Sequence, residues 1–216
     1  MSPGPTVYVV DDDAQFLKSM TRLLRLSGYE TAQYESASAL IDGLPNDPTG
    51  CILLDLDMPK MNGLQLQAHL AMTNRSLPLV FLTGRGNILS SVKAMKAGAE
   101  DFLCKPVQHK VLLAAVNRAI ERNKTRAETR EQHKLLHARF ELLTPREMEV
   151  FYGVVAGKLN KEIAHQLSIS VRTVKAHRQK MMRKIQLRRT IDLVSFAERL
   201  AAKDDPNASH NYSAAH

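Results

Sequence analysis

Three carboxylates stand where they could hold a hard cation. Asp11 and Asp12 close the apolar run Val7-Tyr8-Val9-Val10, and Asp55 closes a second run, Cys51-Ile52-Leu53-Leu54. Short apolar runs stopped by polar residues predict strands of a parallel sheet buried on both faces, which puts the three acids at one sheet edge. Carboxylates crowded there repel one another unless a divalent ion bridges them, and a cation-bridged acid can accept a phosphoryl group. Thr83 and Lys105 close two further runs, Leu79-Val80-Phe81-Leu82 and Asp101-Phe102-Leu103-Cys104, and join the same edge. Asp11 and Asp12 offer oxygens to magnesium directly or through water, and Asp55 offers another. Lys105 can pair with Asp55 before transfer and with phosphoryl oxygens after it, while Thr83 supplies a neutral hydroxyl donor. Asp57 is placed to face the metal with its backbone carbonyl, and Asp13 to cap the helix that follows. Taken singly, each residue has a plainer use as a turn former, helix cap or surface charge. Their shared placement favours a site.

Ligands of such sheets bind beyond the carboxyl ends of the strands, so the elements that deliver these residues matter as much as the residues do. Phe16, Leu17, Met20, Leu23, Leu24 and Leu26 recur at helical spacing, with Gly28 as the stop. A short strand near residues 30–33 leads to a helix near 37–44, the Asp55 strand, a helix near 64–72, the Thr83 strand and a helix over 88–97. The strand from Asp101 is stopped by Lys105-Pro106. This alternation predicts an α/β fold, a doubly wound five-stranded parallel sheet with helices on both faces. Cys51 and Cys104 lie in strand-like runs and are read as core residues, not as a disulfide scaffold or a zinc site.

At 216 residues the chain is long enough for two modest domains, and 44% hydrophobic with 24% charged content suits ordinary globular packing. No N-terminal stretch has the make-up of a secretory leader and no apolar run reaches membrane-spanning length, so a cytoplasmic protein with no membrane partner is expected. The net charge of +8 is unevenly divided: residues 1–120 hold 11 Lys and Arg against 11 Asp and Glu, and residues 121–216 hold 19 against 11. Residues 170–189 carry eight bases and no acid, a run that needs an anionic partner or plain solvent.

Residues 123–141 are highly charged and read as a helical linker that continues the last helix of the first domain. His133 and His137 could chelate a metal on one face of it, but with no third ligand in view a solvated helix is the better reading. Thr144-Pro145-Arg146-Glu147 has the marks of a helix start, with Thr144 as N-cap, Pro145 first and Glu147 third. A second helix begins near Asn160, and Ser168-Ile169-Ser170 turns the chain tightly into a third over about 171–185. Two short helices about a tight turn, with bases dense on the second, match a helix-turn-helix DNA reader. Thr173, Lys175, Ala176 and Gln179 lie in the groove-entering half, where Lys175 could address guanine and Gln179 adenine. Lys161, Arg172, His177, Arg178 and Lys180 are assigned to phosphate. The last helix, about 190–201, carries enough apolar surface for bundle closure or a two-fold partner. The expected division is 1–122, a linker over 123–141, a helical domain over 142–202 and a disordered tail over 203–216.

These motifs together resemble the two-component response regulators of the NarL/FixJ group, in which a receiver domain precedes a LuxR-type helix-turn-helix output domain. The likeness rests on Asp11-Asp12, Asp55, Thr83 and Lys105-Pro106 in the first part. In the second it rests on Leu143-Thr144-Pro145-Arg146-Glu147, Asn160-Lys161-Glu162-Ile163-Ala164 and the run Val171 to Arg178. The resemblance implies that Asp55 is the phosphoacceptor and that Asp11, Asp12, Asp55 and the Asp57 carbonyl hold Mg2+, or Mn2+ in its place. It also implies Lys105 as the active-site lysine, Thr83 as the switch hydroxyl and Phe102 at the aromatic switch position. The implied partners are a sensor histidine kinase, promoter double-stranded DNA, a second copy of the chain on phosphorylation or on DNA, and RNA polymerase if the protein activates. Gly84 departs from the pattern by following Thr83 where a bulkier small residue is usual. Two other readings compete: a magnesium-dependent phosphohydrolase with Asp55 as nucleophile, for which no general acid is evident, and a phospho-switched module whose basic helix meets an acidic protein.

Overall fold

The apolar runs that end in acids form strands with no exposed face. In the computed structural model, which describes residues 4–73, 77–84 and 88–202, Val7 to Val10, Cys51 to Leu54 and Leu79 to Leu82 are all buried. Strands β1 (Thr6–Val10), β2 (Glu30–Tyr34), β3 (Gly50–Asp55), β4 (Leu79–Thr83) and β5 (Asp101–Cys104) pair in parallel in the order β2-β1-β3-β4-β5. Val10 lies opposite Leu54, Asp55 opposite Leu82 and Thr83 opposite Cys104, so the predicted site residues share one edge.

Alternation along each strand divides the core in two. Val7, Val9, Cys51, Leu53, Val80 and Leu82 face Leu17, Met20 and Leu24 of α1 (Ala14–Leu26) and Leu112, Ala115 and Val116 of α5 (His109–Glu141). Tyr8, Val10, Ile52, Leu54 and Phe81 face α2 (Ala37–Gly43), α3 (Gly63–Met72) and α4 (Ile88–Lys96) through Leu40, Leu66, Leu70 and Ala94. Two faces covered by helices are what runs without polar alternation require. Gly50 opens β3 at φ +121°, where a Cβ would stand 1.9 Å from the Thr6 carbonyl oxygen. Its N–H donates to the buried Asn123 carboxamide at 3.1 Å.

The chain forms two compact units, one ending at Arg126 and one beginning at Ala127. Asn123, expected in the linker, thus belongs to the first. α5 is a 33-residue helix that covers the residues read as a helical linker, and its last turns place Leu136 and Phe140 in the core of the second unit. That unit contains α6 (Pro145–Val155), α7 (Asn160–Gln166), α8 (Val171–Lys184) and α9 (Asp192–Ala201). α6 starts at a reciprocal cap: Glu147 N–H donates to Thr144 Oγ1 at 3.3 Å, and Thr144 N–H donates to Glu147 Oε2 at 2.9 Å. Lys184 Nζ reaches the same Glu147 oxygen at 2.7 Å and the Leu142 carbonyl at 2.9 Å, tying the end of α8 to the start of α6. Val150, Ile163, Ala164 and Val174 pack the helix pair, and Phe151, Met181, Ile185, Leu193 and Phe196 close the bundle with α9.

Cys51 is fully buried, and burial pushes its thiol up to about 12. Cys104 corrects the sequence expectation: it is exposed, because it ends the short edge strand β5, and both thiols are free. The tail expected over 203–216 lies outside the described residues. Among those described, no helix is long and apolar enough to cross a membrane.

Candidate functional site

Asp11 and Asp55 are 2% and 6% exposed, a placement that ionised carboxylates sustain only with partners. Lys105 Nζ supplies one to both, at 2.5 Å from Asp11 Oδ2 and 2.7 Å from Asp55 Oδ1. The second oxygen of each acid accepts a backbone N–H two residues on: Asp13 N–H to Asp11 Oδ1 at 3.0 Å, and Asp57 N–H to Asp55 Oδ2 at 2.7 Å. The two carboxylates are thereby oriented by the loops that follow β1 and β3. Lys105 is itself tethered, since its N–H donates to the Thr83 carbonyl at 2.7 Å.

The ion pair is unequal. The Asp11 side chain is 3% exposed and that of Lys105 21%. Burial therefore dominates at Asp11 and pushes its carboxyl above the usual range, against the pull of Lys105 and of the Asp13 N–H. Burial also works to lower Lys105, but its hydrogen bonds to Asp11 and Asp55 outweigh that effect and hold the ammonium above its ordinary value.

These groups line an open cleft of about 630 Å³ together with the exposed Asp12 and Asp57 and with Ser90 of α4. Among the described residues five carboxylates, Asp11, Asp12, Asp13, Asp55 and Asp57, line it with one ammonium, an excess of four negative charges. That donor chemistry fits a hard divalent cation that keeps part of its water. Among the described residues no three His, Cys, Asp or Glu side chains converge as a ready ligand cage, which is consistent with Lys105 drawing Asp11 and Asp55 to itself. Asp13 caps α1, its Oδ1 accepting the Gln15 and Phe16 N–H groups at 2.8 and 3.1 Å, as the sequence predicts. Thr83 is fully buried at the end of β4, and the half-buried Phe102 lies with its ring centroid 6.1 Å from that of Phe81.

Three contributors escaped the sequence reading. Ser90 reaches the cleft from a helix whose register no local signal fixes. Phe16, taken as core, sets its ring 3.9 Å from the Lys105 ammonium. Gly63 starts α3 where a Cβ would stand 2.7 Å from the Asp55 carbonyl oxygen and 2.8 Å from the Phe81 ring. Asn62-Gly63 after Pro59 signals a turn, but not this close approach.

In the second unit, α8 begins at the Ser170 cap, whose Oγ accepts the Thr173 N–H at 3.0 Å. Val174, Met181 and the following Ile185 are buried, which turns Arg172, Lys175, Ala176, Gln179, Lys180 and Arg183 to solvent. Lys161 is exposed on α7, while Thr173 and His177 are half-buried. Arg178, assigned from the sequence to phosphate, is half-buried. Its guanidinium donates to Asn160 Oδ1 at 3.0 Å and Thr190 Oγ1 at 2.8 Å, so it ties α8 to the start of α7 and the approach to α9. Arg183, one of the eight bases of residues 170–189, follows Gln179 by four residues on the exposed face.

Residues 7–117 match the response regulator receiver domain family, and residues 141–197 match the luxR family of bacterial regulatory proteins. The chain is 39% identical over 194 residues to the response regulator protein TmoT of Ectopseudomonas mendocina, covering 90% of this chain and 88% of that one. It is 35% identical over 199 residues to the transcriptional regulatory protein FixJ of Bradyrhizobium diazoefficiens, covering 92% and 97%. Among solved structures, the response regulator StyR superposes with a TM-score of 0.82 at 38% identity, over 90% of this chain and 98% of that one. The chain belongs to the NarL/FixJ-like two-component response regulators, DNA-binding regulators of transcription in which phosphorylation of a receiver aspartate controls a LuxR-type helix-turn-helix output domain.

Proposed function

We propose that Asp55 is the residue phosphorylated, with a sensor histidine kinase as donor. The observation that carries this assignment is the double hold on the Asp55 carboxylate, by Lys105 Nζ on one oxygen and the Asp57 N–H on the other, at the wall of an acidic cleft. An Asp55 oxygen attacks phosphorus, a P–O bond forms, and the P–N bond to the donor imidazole breaks with its electron pair leaving on nitrogen, which takes up a proton. Lys105 then follows the charge from the carboxylate to the phosphoryl oxygens. Asp11, Asp12, Asp55 and the Asp57 carbonyl would hold Mg2+, or Mn2+, whose charge offsets the repulsion between carboxylate and phosphoryl group. Thr83 and Phe102 are assigned as the switch pair that senses the new group, with a change of receiver surface and dimerisation as the outcome. The phosphohydrolase alternative gives way, because receiver domains are phosphoacceptors rather than metabolic enzymes.

For the output unit, the exposed face of α8 supports Lys175 and Gln179 as base-reading residues, with Thr173 and Ala176 beside them. Lys161, Arg172, His177 and Lys180 are assigned to promoter phosphates, and Arg178 to holding the helix. A homodimer would address paired half-sites, with RNA polymerase as the further partner at activated promoters.

The test is phosphorylation of the full chain by a small phosphodonor with Mg2+, followed by phosphosite mapping and DNA binding. Asp55→Asn is expected to abolish both the modification and its effect on DNA affinity. Unchanged phosphorylation of that variant overturns the assignment.

A further inference from the structure

We infer that Phe16 is a positioning residue for phosphoryl transfer, its ring face holding the Lys105 ammonium over Asp55. The inference rests on Asp55 being the phosphoacceptor. Lys105 Nζ has three N–H donors, and two are directed to Asp11 Oδ2 and Asp55 Oδ1. The Phe16 ring lies against the same nitrogen, 3.9 Å from Nζ to the ring centroid, within the range in which an aromatic quadrupole attracts a cation.

Phe16 cannot easily yield this place. It sits in the first turn of α1, where the Asp13 side chain accepts its N–H, and its ring packs against the core between α1, α5 and the sheet. The Asp13 backbone N–H meanwhile donates to Asp11. One short turn thus orients the Asp11 carboxylate and presents the ring to the lysine that bridges Asp11 and Asp55. Asp13, although it lines the acidic cleft, acts here as the cap that fixes that turn.

An aromatic face suits a lysine that must change partners. A hydrogen-bonding side chain at this position would tie one N–H in a fixed direction. A π face attracts the ammonium with little directional demand, so Nζ can pivot from Asp55 oxygen to a phosphoryl oxygen and keep the same support. Leucine would fill similar space without that attraction, leaving a long flexible stem freer to turn toward water.

The full chain is compared with Phe16→Leu, Phe16→Tyr and Asp55→Asn. Phosphorylation by phosphoramidate is followed over a range of donor concentrations with Mg2+, and the Lys105 ε-methylene resonances are followed in unphosphorylated, metal-free protein. Phe16→Leu is expected to lower the maximal rate about threefold to tenfold with the apparent donor affinity unchanged. It should also move the Lys105 resonances from ring-shifted toward ordinary lysine positions, and Phe16→Tyr should restore both. A Phe16→Leu protein with the parental rate and resonances overturns the inference, as does a Phe16→Tyr protein as slow as Phe16→Leu. Equal phosphorylation of parent and Asp55→Asn overturns the acceptor assignment and the role in transfer with it. The resonances still decide whether the ring holds the ammonium.

Discussion

The acidic cleft gathers Asp11, Asp55 and Lys105 from positions as much as 94 residues apart and buries the two acids against the half-buried lysine. The basic face of α8 draws Arg172, Lys175, Gln179 and Lys180 from adjacent turns of one helix and leaves them in water. In the cleft each charge depends on its partners, because removal from water is costly unless a bond replaces the lost hydration. On that exposed face each charge is hydrated and screened, so its contribution is small, local and close to additive. Substitutions in the first region should therefore act through the whole site, and those in the second one contact at a time.

Within the candidate site, the largest effect expected from backbone packing alone is at Gly63. Alanine there would press a Cβ against the Asp55 carbonyl oxygen and the Phe81 ring, and the backbone oxygen has little room to retreat. We expect Gly63→Ala to destabilise the first unit by about 1–3 kcal/mol and to slow phosphorylation by displacing Asp55. Gly84→Ala is the control: among the described residues its Cβ would meet nothing within 4 Å, so stability should stay within about 0.5 kcal/mol. Urea unfolding of the two variants separates them, and equal midpoints would remove the claim that the β3–α3 turn braces the acceptor.

The two regions also differ in how far they can be read from sequence. Apolar runs ending in Asp11, Asp55, Thr83 and Lys105 announce a sheet edge because strand ends in a parallel sheet meet by topology. The α8 face is legible because helical periodicity alone turns Arg172, Lys175 and Gln179 away from Val174 and Met181. What stayed hidden depends on distances that neither pattern encodes. Phe16 has the spacing of a core residue and is one, yet its ring also meets Lys105. Arg178 has the composition of a phosphate anchor, and only the fold brings Asn160 and Thr190 to its guanidinium. Cys104 looked buried because its run is apolar, but an edge strand exposes what a central strand would cover.

On α8 the comparison predicts separable losses. Gln179→Ala should reduce discrimination at one base position by about 1–3 kcal/mol while nonspecific affinity changes little. Arg172→Ala should instead weaken binding evenly across sequences and reduce the salt slope by about one. Titration of specific and scrambled DNA at several salt concentrations distinguishes the two. Identical profiles would mean that the face binds as an undifferentiated patch of charge.

The smallest effects come from two ion pairs at the start of α6. Burial works to raise the Glu147 carboxyl, but hydrogen bonds from Lys184 and Thr144 outweigh it and hold the group below its ordinary value of 4.5. Because the folded value lies below the unfolded one, this contribution is complete above 4.5 and is lost as pH falls through the folded value. Glu147→Gln should cost about 1–2 kcal/mol at neutral pH, and the difference from the parent should shrink in acid. Arg146 and Glu149, 2.8 Å apart on the same turn, have side chains 56% and 45% exposed, and water already solvates both. Arg146→Ala should change stability by no more than about 0.5 kcal/mol, an effect that added salt reduces further. Unfolding free energies at neutral and acid pH, with and without salt, test both pairs together. A Glu147→Gln difference that persists in acid would move the role of that residue from its charge to its packing, and the contrast between buried and exposed charge would then fail within a single helical turn.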